Sequence, residues 1–152
     1  LKFSCAHFLL FPDGSKERLH GHNYQVTAEV DGNLSEFGLV IDFKMVKPII
    51  KELCDHLDEH WLIPGEHREL RYQHRDDGHT EVTYRECRYL APTNEVIVMP
   101  INNTSAENFA AWLGRSLYKR LQQSFGKVSV HRLRVSVSET SGQSGVYTYS
   151  DE

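Results

Sequence analysis

The residue pattern predicts an α+β domain, with helices on one face of a mostly antiparallel sheet. Three observations carry this reading. His20 to Asp31 alternates apolar and polar residues at period two, the mark of a strand with one buried face. Leu133, Val135 and Val137 repeat that alternation near the end of the chain. Between them lie two stretches with apolar residues at helical spacing. A chain of 152 residues is long enough to bury a core as one domain, 1–152, without disulfides.

The elements follow in chain order. Lys2 to Leu9 reads as a strand, with Phe3, Cys5 and His7 on one face. Phe11-Pro12-Asp13-Gly14-Ser15 is turn chemistry, and the loop runs on to about Leu19. In the long strand that follows, His20, His22, Tyr24, Val26, Ala28 and Val30 share one face, so the two histidines extend the core-facing side. Gly32-Asn33 starts a turn. Gly38 to Ile41 is expected as a short strand, and Asp42 as a helix N-cap. Val46, Ile49, Ile50, Leu53 and Leu57 form a helical stripe, and Pro48 must lie near its first turn or kink it. Residues 64 to 95 are polar and predict an inserted hairpin: Leu70–Arg75, a turn at Asp76-Asp77-Gly78, then Glu81–Tyr89. Val96 to Met99 reads as extended. Thr104-Ser105-Ala106-Glu107 matches a capping box. It opens a helix with Phe109, Trp112, Leu113, Leu117 and Leu121 on one stripe and Gly126 as its stop. Val128 to Ser138 is a strand whose change of phase near His131 predicts a bulge. A turn over Thr140–Gly145 leads to a last strand, Val146 to Tyr149.

Composition narrows the function. The formal net charge of −4 argues against nucleic-acid binding as the main task. No run approaches the apolar length of a membrane span, so no membrane partner is expected. Cys5, Cys54 and Cys87 are widely spaced and odd in number, which argues against a disulfide framework. With no signal-peptide pattern, a cytoplasmic location is expected.

The nine histidines are the anomaly. His20-Gly21-His22 puts two imidazoles on the same side of a strand, close enough to share one ion, and Gly21 leaves room beside them. His7 supplies a third nitrogen if the two strands pair. Three neutral imidazoles with an open position is a common catalytic zinc arrangement, and no Cys-x-x-Cys suggests a closed structural site instead. Spacing alone leaves the alternative open that these are surface and packing histidines. His56, His67, His74, His79 and His131 read as solvent-side residues, and His60 stands apart from them.

The motifs combine in a recognisable order. Phe3-Ser4-Cys5-Ala6-His7, Leu19-His20-Gly21-His22-Asn23-Tyr24 and Gly38-Leu39-Val40-Ile41-Asp42-Phe43 resemble the 6-pyruvoyl-tetrahydropterin and 6-carboxy-tetrahydropterin synthase family. Leu57-Asp58, Thr104-Ser105-Ala106-Glu107-Asn108 and Val137-Ser138-Glu139-Thr140 continue the match, which covers nearly everything outside residues 64 to 95. The resemblance implies the tunnelling fold: an antiparallel four-stranded sheet with two helices on one face, assembled as a homohexamer from two trimers with sites at subunit interfaces. It implies zinc on His7, His20 and His22, a small-molecule pterin substrate, and Glu139 as the anchor of the pterin ring. A carboxylate suits that anchor, because it accepts two hydrogen bonds from the amino-pyrimidinone edge. Thr104, Ser105 and Glu107 are expected at the same end of the pocket. An exposed strand-end charge is the alternative reading for Glu139.

The sequence departs from the family pattern in two places. The synthases place a catalytic Cys a few residues before His-Gly-His, whereas Ser15 to Leu19 contains no thiol. They also carry an Asp-His pair after the first helix, whereas here Asp58 is followed by Glu59 and then His60. Glu17-Arg18-Leu19-His20-Gly21-His22 instead resembles a branch in which Glu replaces Cys and the dihydroneopterin side chain is shortened to 6-hydroxymethyl-dihydropterin. That implies a lyase with Glu17 as general base, supported in proton movement by Asp58 and His60. A synthase using another base, and a pterin-binding protein without activity, are the competing readings.

Overall fold

The computed structural model describes residues 1–125, 130–139 and 142–150. Nine strands and two α-helices occur among them: β1 (Lys2–His7), β2 (His20–Gly32), α1 (Phe43–Leu57), β3 (His60–Pro64), β4 (Leu70–His74), β5 (His79–Tyr84), β6 (Cys87–Pro92), β7 (Val96–Met99), α2 (Ala106–Phe125), β8 (Val130–Glu139) and β9 (Ser144–Ser150). The main sheet has six strands in the order β7-β3-β1-β2-β8-β9, and β4-β5-β6 form a second sheet.

Four of the six strands of the main sheet follow the alternation in the sequence. β1, β2, β8 and β9 pair antiparallel in succession. Along β2, Tyr24 and Val26 are buried while Asn23, Gln25, Thr27 and Glu29 are exposed. Both helices pack on that buried face, where Phe3, Tyr24, Leu57, Phe109, Leu117 and Leu133 belong to one core. The bulge expected near His131 is present. Asp31 pairs with Arg132 and Gly32 with Val130, so His131 is the extra residue.

Several sequence expectations are corrected. The sheet has six strands rather than four, because β3 joins β1 and β7 joins β3, both in parallel. β3 is a short apolar run, Trp61-Leu62-Ile63-Pro64, buried on both faces as parallel strands usually are. Leu62 faces the helical core, while Trp61 and Ile63 enter a second core under the insert. Residues 38–41 form no strand; they run as a loop into Asp42, whose carboxylate caps α1 by accepting from Lys44 N at 2.9 Å. Pro48 lies inside α1, beyond the first turn. The insert is a three-stranded meander, not a hairpin, since the stretch Glu81–Tyr89 breaks at Arg85-Glu86, where Arg85 takes φ 51°. Gly126, Val128 and Thr140 lie outside the described residues.

Candidate metal centre and active site

Strand pairing brings the three histidines together. In the β1–β2 register His7 faces His20 and Cys5 faces His22. The ring centroids are 4.9 Å apart for His7–His20, 5.4 Å for His7–His22 and 4.7 Å for His20–His22. One ligand atom from each lies within 4.8 Å of the others. His7 is buried, whereas His20 and His22 are half-buried, so the cluster opens to solvent on the β2 side.

Neighbouring carbonyls select the tautomers. His7 Nδ1 donates to the Thr104 carbonyl at 2.8 Å, and His20 Nδ1 donates to the Arg18 carbonyl at 2.6 Å. A carbonyl can only accept, so each Nδ1 carries a proton, and in the neutral ring the lone pair then lies on Nε2. Burial pushes the His7 imidazole below the ordinary histidine range, and the Thr104 hydrogen bond opposes this. A neutral imidazole with a fixed tautomer is what a divalent ion requires, and backbone acceptors behind it are the usual outer support. The donor set therefore fits a metal: three protein nitrogens, with the β2 side accessible to solvent, is the pattern of catalytic sites.

Two carboxylates flank the cluster. Glu17 is held at the end of the loop between β1 and β2: its N–H donates to the Leu9 carbonyl at 2.9 Å, and its Oε1 accepts from Leu9 N at 3.0 Å. That same Oε1 lies 3.9 Å from His20 Nε2. Glu139, at the end of β8, places Oε1 4.0 Å from His22 Nε2. Between Glu139 and His7 stands Tyr24, fully buried, whose hydroxyl lies 3.2 Å from His7 Nε2 and 3.4 Å from Glu139 Oε1. Sequence reasoning gave Tyr24 no role. Its signal was there, in the shared face of His20, His22 and Tyr24, but the link to Glu139 needs the β2–β8 register, which pairs these two residues.

The start of α2 supports the cluster from the other side. Thr104 is not the cap of this helix, which corrects the capping-box reading by one residue. Ser105 Oγ accepts from Asn108 N at 3.2 Å and fills that role. Thr104 is fully buried, its hydroxyl donating to the Phe8 carbonyl at 3.0 Å while its own carbonyl holds His7. Glu107 is exposed. β9 approaches here so closely that a Cβ on Gly145 would sit 2.3 Å from Glu107 N. Asn103, also missed in the sequence, brackets Leu10, accepting from its N–H at 3.0 Å and donating to its carbonyl at 2.8 Å.

Asp58 and His60 are not brought into the cluster. Asp58 Oδ1 accepts from Ser4 N at 2.8 Å and from Ser4 Oγ at 3.2 Å, which ties the end of α1 to β1. His60 Nδ1 donates to the Asp58 carbonyl at 2.7 Å. Glu59, in the left-handed region at φ 59°, lines a hollow of about 320 Å³ together with Gly21, His22 and Asn23.

The model of the 6-pyruvoyl tetrahydropterin synthase family matches residues 1–150. A Methanocaldococcus jannaschii protein, provisionally named 6-carboxy-5,6,7,8-tetrahydropterin synthase, is 34% identical over 148 residues, which is 97% of this chain and 89% of its own. A 6-carboxy-5,6,7,8-tetrahydropterin synthase of Rickettsia felis is 27% identical over 80% of this chain and 78% of its own. The structure of Plasmodium vivax 6-pyruvoyltetrahydropterin synthase superimposes with a TM-score of 0.90 at 31% identity, covering 98% of this chain and 91% of that one. A catalytic-residue mutant of that enzyme, with glutamate replaced by alanine, gives the same TM-score of 0.90 over 98% of this chain and 91% of its own, at 30% identity. A match that runs through both strands of the imidazole cluster and on to the last strand leaves no part of the site outside it, and on that ground the chain belongs to the 6-pyruvoyl tetrahydropterin synthase family of enzymes and carries its tunnelling fold.

Proposed function

We propose that this protein is a zinc-dependent lyase that shortens the side chain of a 7,8-dihydropterin, dihydroneopterin or its triphosphate, by retro-aldol cleavage to 6-hydroxymethyl-7,8-dihydropterin. The observation that carries this reading is a carboxylate, Glu17, set 3.9 Å from a ligand imidazole where no thiol is available. The glutamate named as catalytic residue in the Plasmodium vivax relative supports it. His7, His20 and His22 would hold the zinc, which supplies Lewis acidity towards the side-chain oxygens. Glu17 takes the proton of the hydroxyl on the second side-chain carbon as the bond between the first and second carbons breaks. The outer fragment leaves as an aldehyde, and the carbon left on the ring is reprotonated. Glu139 accepts from the donors of the pterin ring, and Ser105 and Glu107 line the same end of the pocket. The Thr104 side chain is already committed to Phe8, so its part is to hold His7.

Assembly belongs to the same proposal. β7 and β9 are the two edges of the main sheet, and an open edge is a hazard that a neighbour removes. A hexamer of two trimers would cover them. Asp58 and His60 could then assist proton movement only from a neighbouring subunit, since within one chain they serve Ser4 and each other.

Incubating the purified, zinc-supplied protein with dihydroneopterin and with its triphosphate, and separating products by chromatography, tests the reaction. Glu17→Gln keeps size but loses basicity, and should lower turnover by roughly 10²–10⁴-fold with zinc content and pterin affinity unchanged. Equal turnover removes Glu17 from the mechanism. A 6-pyruvoyl or 6-carboxy product would favour the second reading, a synthase using a base other than Cys, which the names of the curated relatives support.

A further inference from the structure

We infer that the inserted sheet is a clamp on the loop that carries Glu17, and that Tyr84 is a positioning residue for that carboxylate; the inference rests on the base role proposed above. The loop between β1 and β2 doubles back as a small hairpin in which Leu10 bridges Lys16. Glu17 donates its N–H to the Leu9 carbonyl, and its carboxylate accepts from the Leu9 N–H. The backbone of Leu9 therefore aims the carboxylate, and any shift of the hairpin moves it. At the tip, Gly14 at φ 88° donates to the Phe11 carbonyl at 3.0 Å.

The insert grips this hairpin at three points. The Tyr84 hydroxyl donates to the Gly14 carbonyl at 2.7 Å. The Arg85 guanidinium covers Gly14 so closely that a Cβ there would lie 2.2 Å from it. The Lys16 ammonium, one residue from Glu17, sits 4.9 Å from the Phe8 ring centroid and 5.4 Å from that of Tyr89. Phe8 and Tyr89 are themselves stacked at 5.5 Å, and Phe8, Leu10 and Tyr84 share the second core with Trp61. Arg85 holds a left-handed backbone that a residue other than glycine adopts only at a cost. Its ion pair with Glu69 at 2.9 Å and its place over Gly14 account for keeping it there. On the opposite side Asn103 fixes Leu10 to the body of the domain. The insert thus completes a two-sided hold on a segment whose function is to present one carboxylate.

Tyr84→Phe keeps the buried ring and deletes only the hydroxyl. Since an offset of about 1 Å in a catalytic group is felt strongly in the rate, kcat should fall roughly tenfold, with KM and zinc content unchanged. Amide hydrogen exchange at Leu9 and Glu17 should speed up in the same variant. Placed in the Glu17→Gln background, Tyr84→Phe should cost nothing further, because the two residues act as one unit. Arg85→Gly, which suits the left-handed turn but uncovers Gly14 and gives up the exposed pair with Glu69, should move exchange and kcat in the same directions. Unchanged exchange at Leu9 and Glu17 in both variants overturns the clamp. An equal loss of kcat in the Glu17→Gln background also overturns it, while leaving Glu17 as base. Full turnover by Glu17→Gln alone instead removes the base reading, and this inference with it.

Discussion

Replacing Gly145 by alanine sets a methyl group into the backbone at the start of α2. The added Cβ would lie 2.3 Å from Glu107 N, 2.5 Å from Ala106 C and 2.5 Å from Glu107 Cα. None of these is a flexible side-chain end, so relief to an ordinary contact needs a backbone shift of about 1 Å. Overpacking of this kind costs about 1–3 kcal/mol. For a chain of this length that is a drop in melting temperature of roughly 2–12 °C, followed by circular dichroism on the zinc-supplied protein. The consequence for the site is more telling. Thr104, two residues before Ala106, presents the carbonyl that fixes the His7 tautomer. A displaced helix start should therefore weaken zinc binding as well as stability, and loss of such outer support typically costs 10–100-fold in metal affinity. Competition titration against a chromophoric chelator measures it. A melting temperature within 1 °C of the parent would refute the packing argument. Lowered stability with unchanged zinc affinity would refute the link from α2 to the metal centre.

Other outcomes follow from single contacts. Thr104→Val leaves the buried Phe8 carbonyl without its donor and should cost about 1–3 kcal/mol in urea unfolding, while Thr104→Ser, which keeps the hydroxyl, should cost less. Glu139→Ala should weaken pterin binding by about 2–4 kcal/mol in a fluorescence titration, and unchanged affinity would refute the ring-anchor role. Alkylation of the native protein should modify Cys87, the half-exposed cysteine, and spare the buried Cys5 and Cys54; peptide mass spectrometry reads the sites, and turnover should survive. Zinc should copurify or rebind, and elemental analysis below a tenth of an equivalent after zinc is supplied would refute the metal assignment. Light scattering should report a hexamer, and an active dilute monomer would refute the interface model.

The parts of the site legible in the sequence are those fixed by strand periodicity. Alternation puts Cys5 and His7 on one face of β1 and His20, His22 and Tyr24 on one face of β2, and antiparallel pairing then suffices to assemble three imidazoles. The fold class followed from the same alternation and from the two helical stripes. What failed depended on distant contacts. Thr104 fits a capping box locally, but its hydroxyl is taken by Phe8, 96 residues away in the chain, so the cap falls to Ser105. β3 is too short an apolar run to tell from a helix end, and it became a strand because β1 and β7 flank it in parallel. The turn between β5 and β6 carries no Gly, Asn or Pro, since Arg85 accepts the left-handed backbone that such residues normally announce.

The choice of a carboxylate over a thiol has its own physical support in this chain. Cys5 lies on the strand that carries His7, yet burial first, and then the Glu139 charge, push its thiol up to about 12. A thiol held up in this way keeps its proton at neutral pH, which disfavours it as base or nucleophile. Burial likewise pushes the Cys54 thiol up to about 11. Cys87 lies on β6, in the second sheet and not in the one that carries the imidazoles. Glu17 is the base proposed in their place. Its carboxylate stays partly open to solvent, and Leu9 N supplies one fixed hydrogen bond to Oε1, so the group is oriented by the backbone rather than by another titrating side chain. A base held in that way keeps a free acceptor oxygen for a substrate hydroxyl. In the proposed base role its alignment is only as good as the hairpin that presents it, and the second core and the Tyr84 hydrogen bond to Gly14 hold that hairpin.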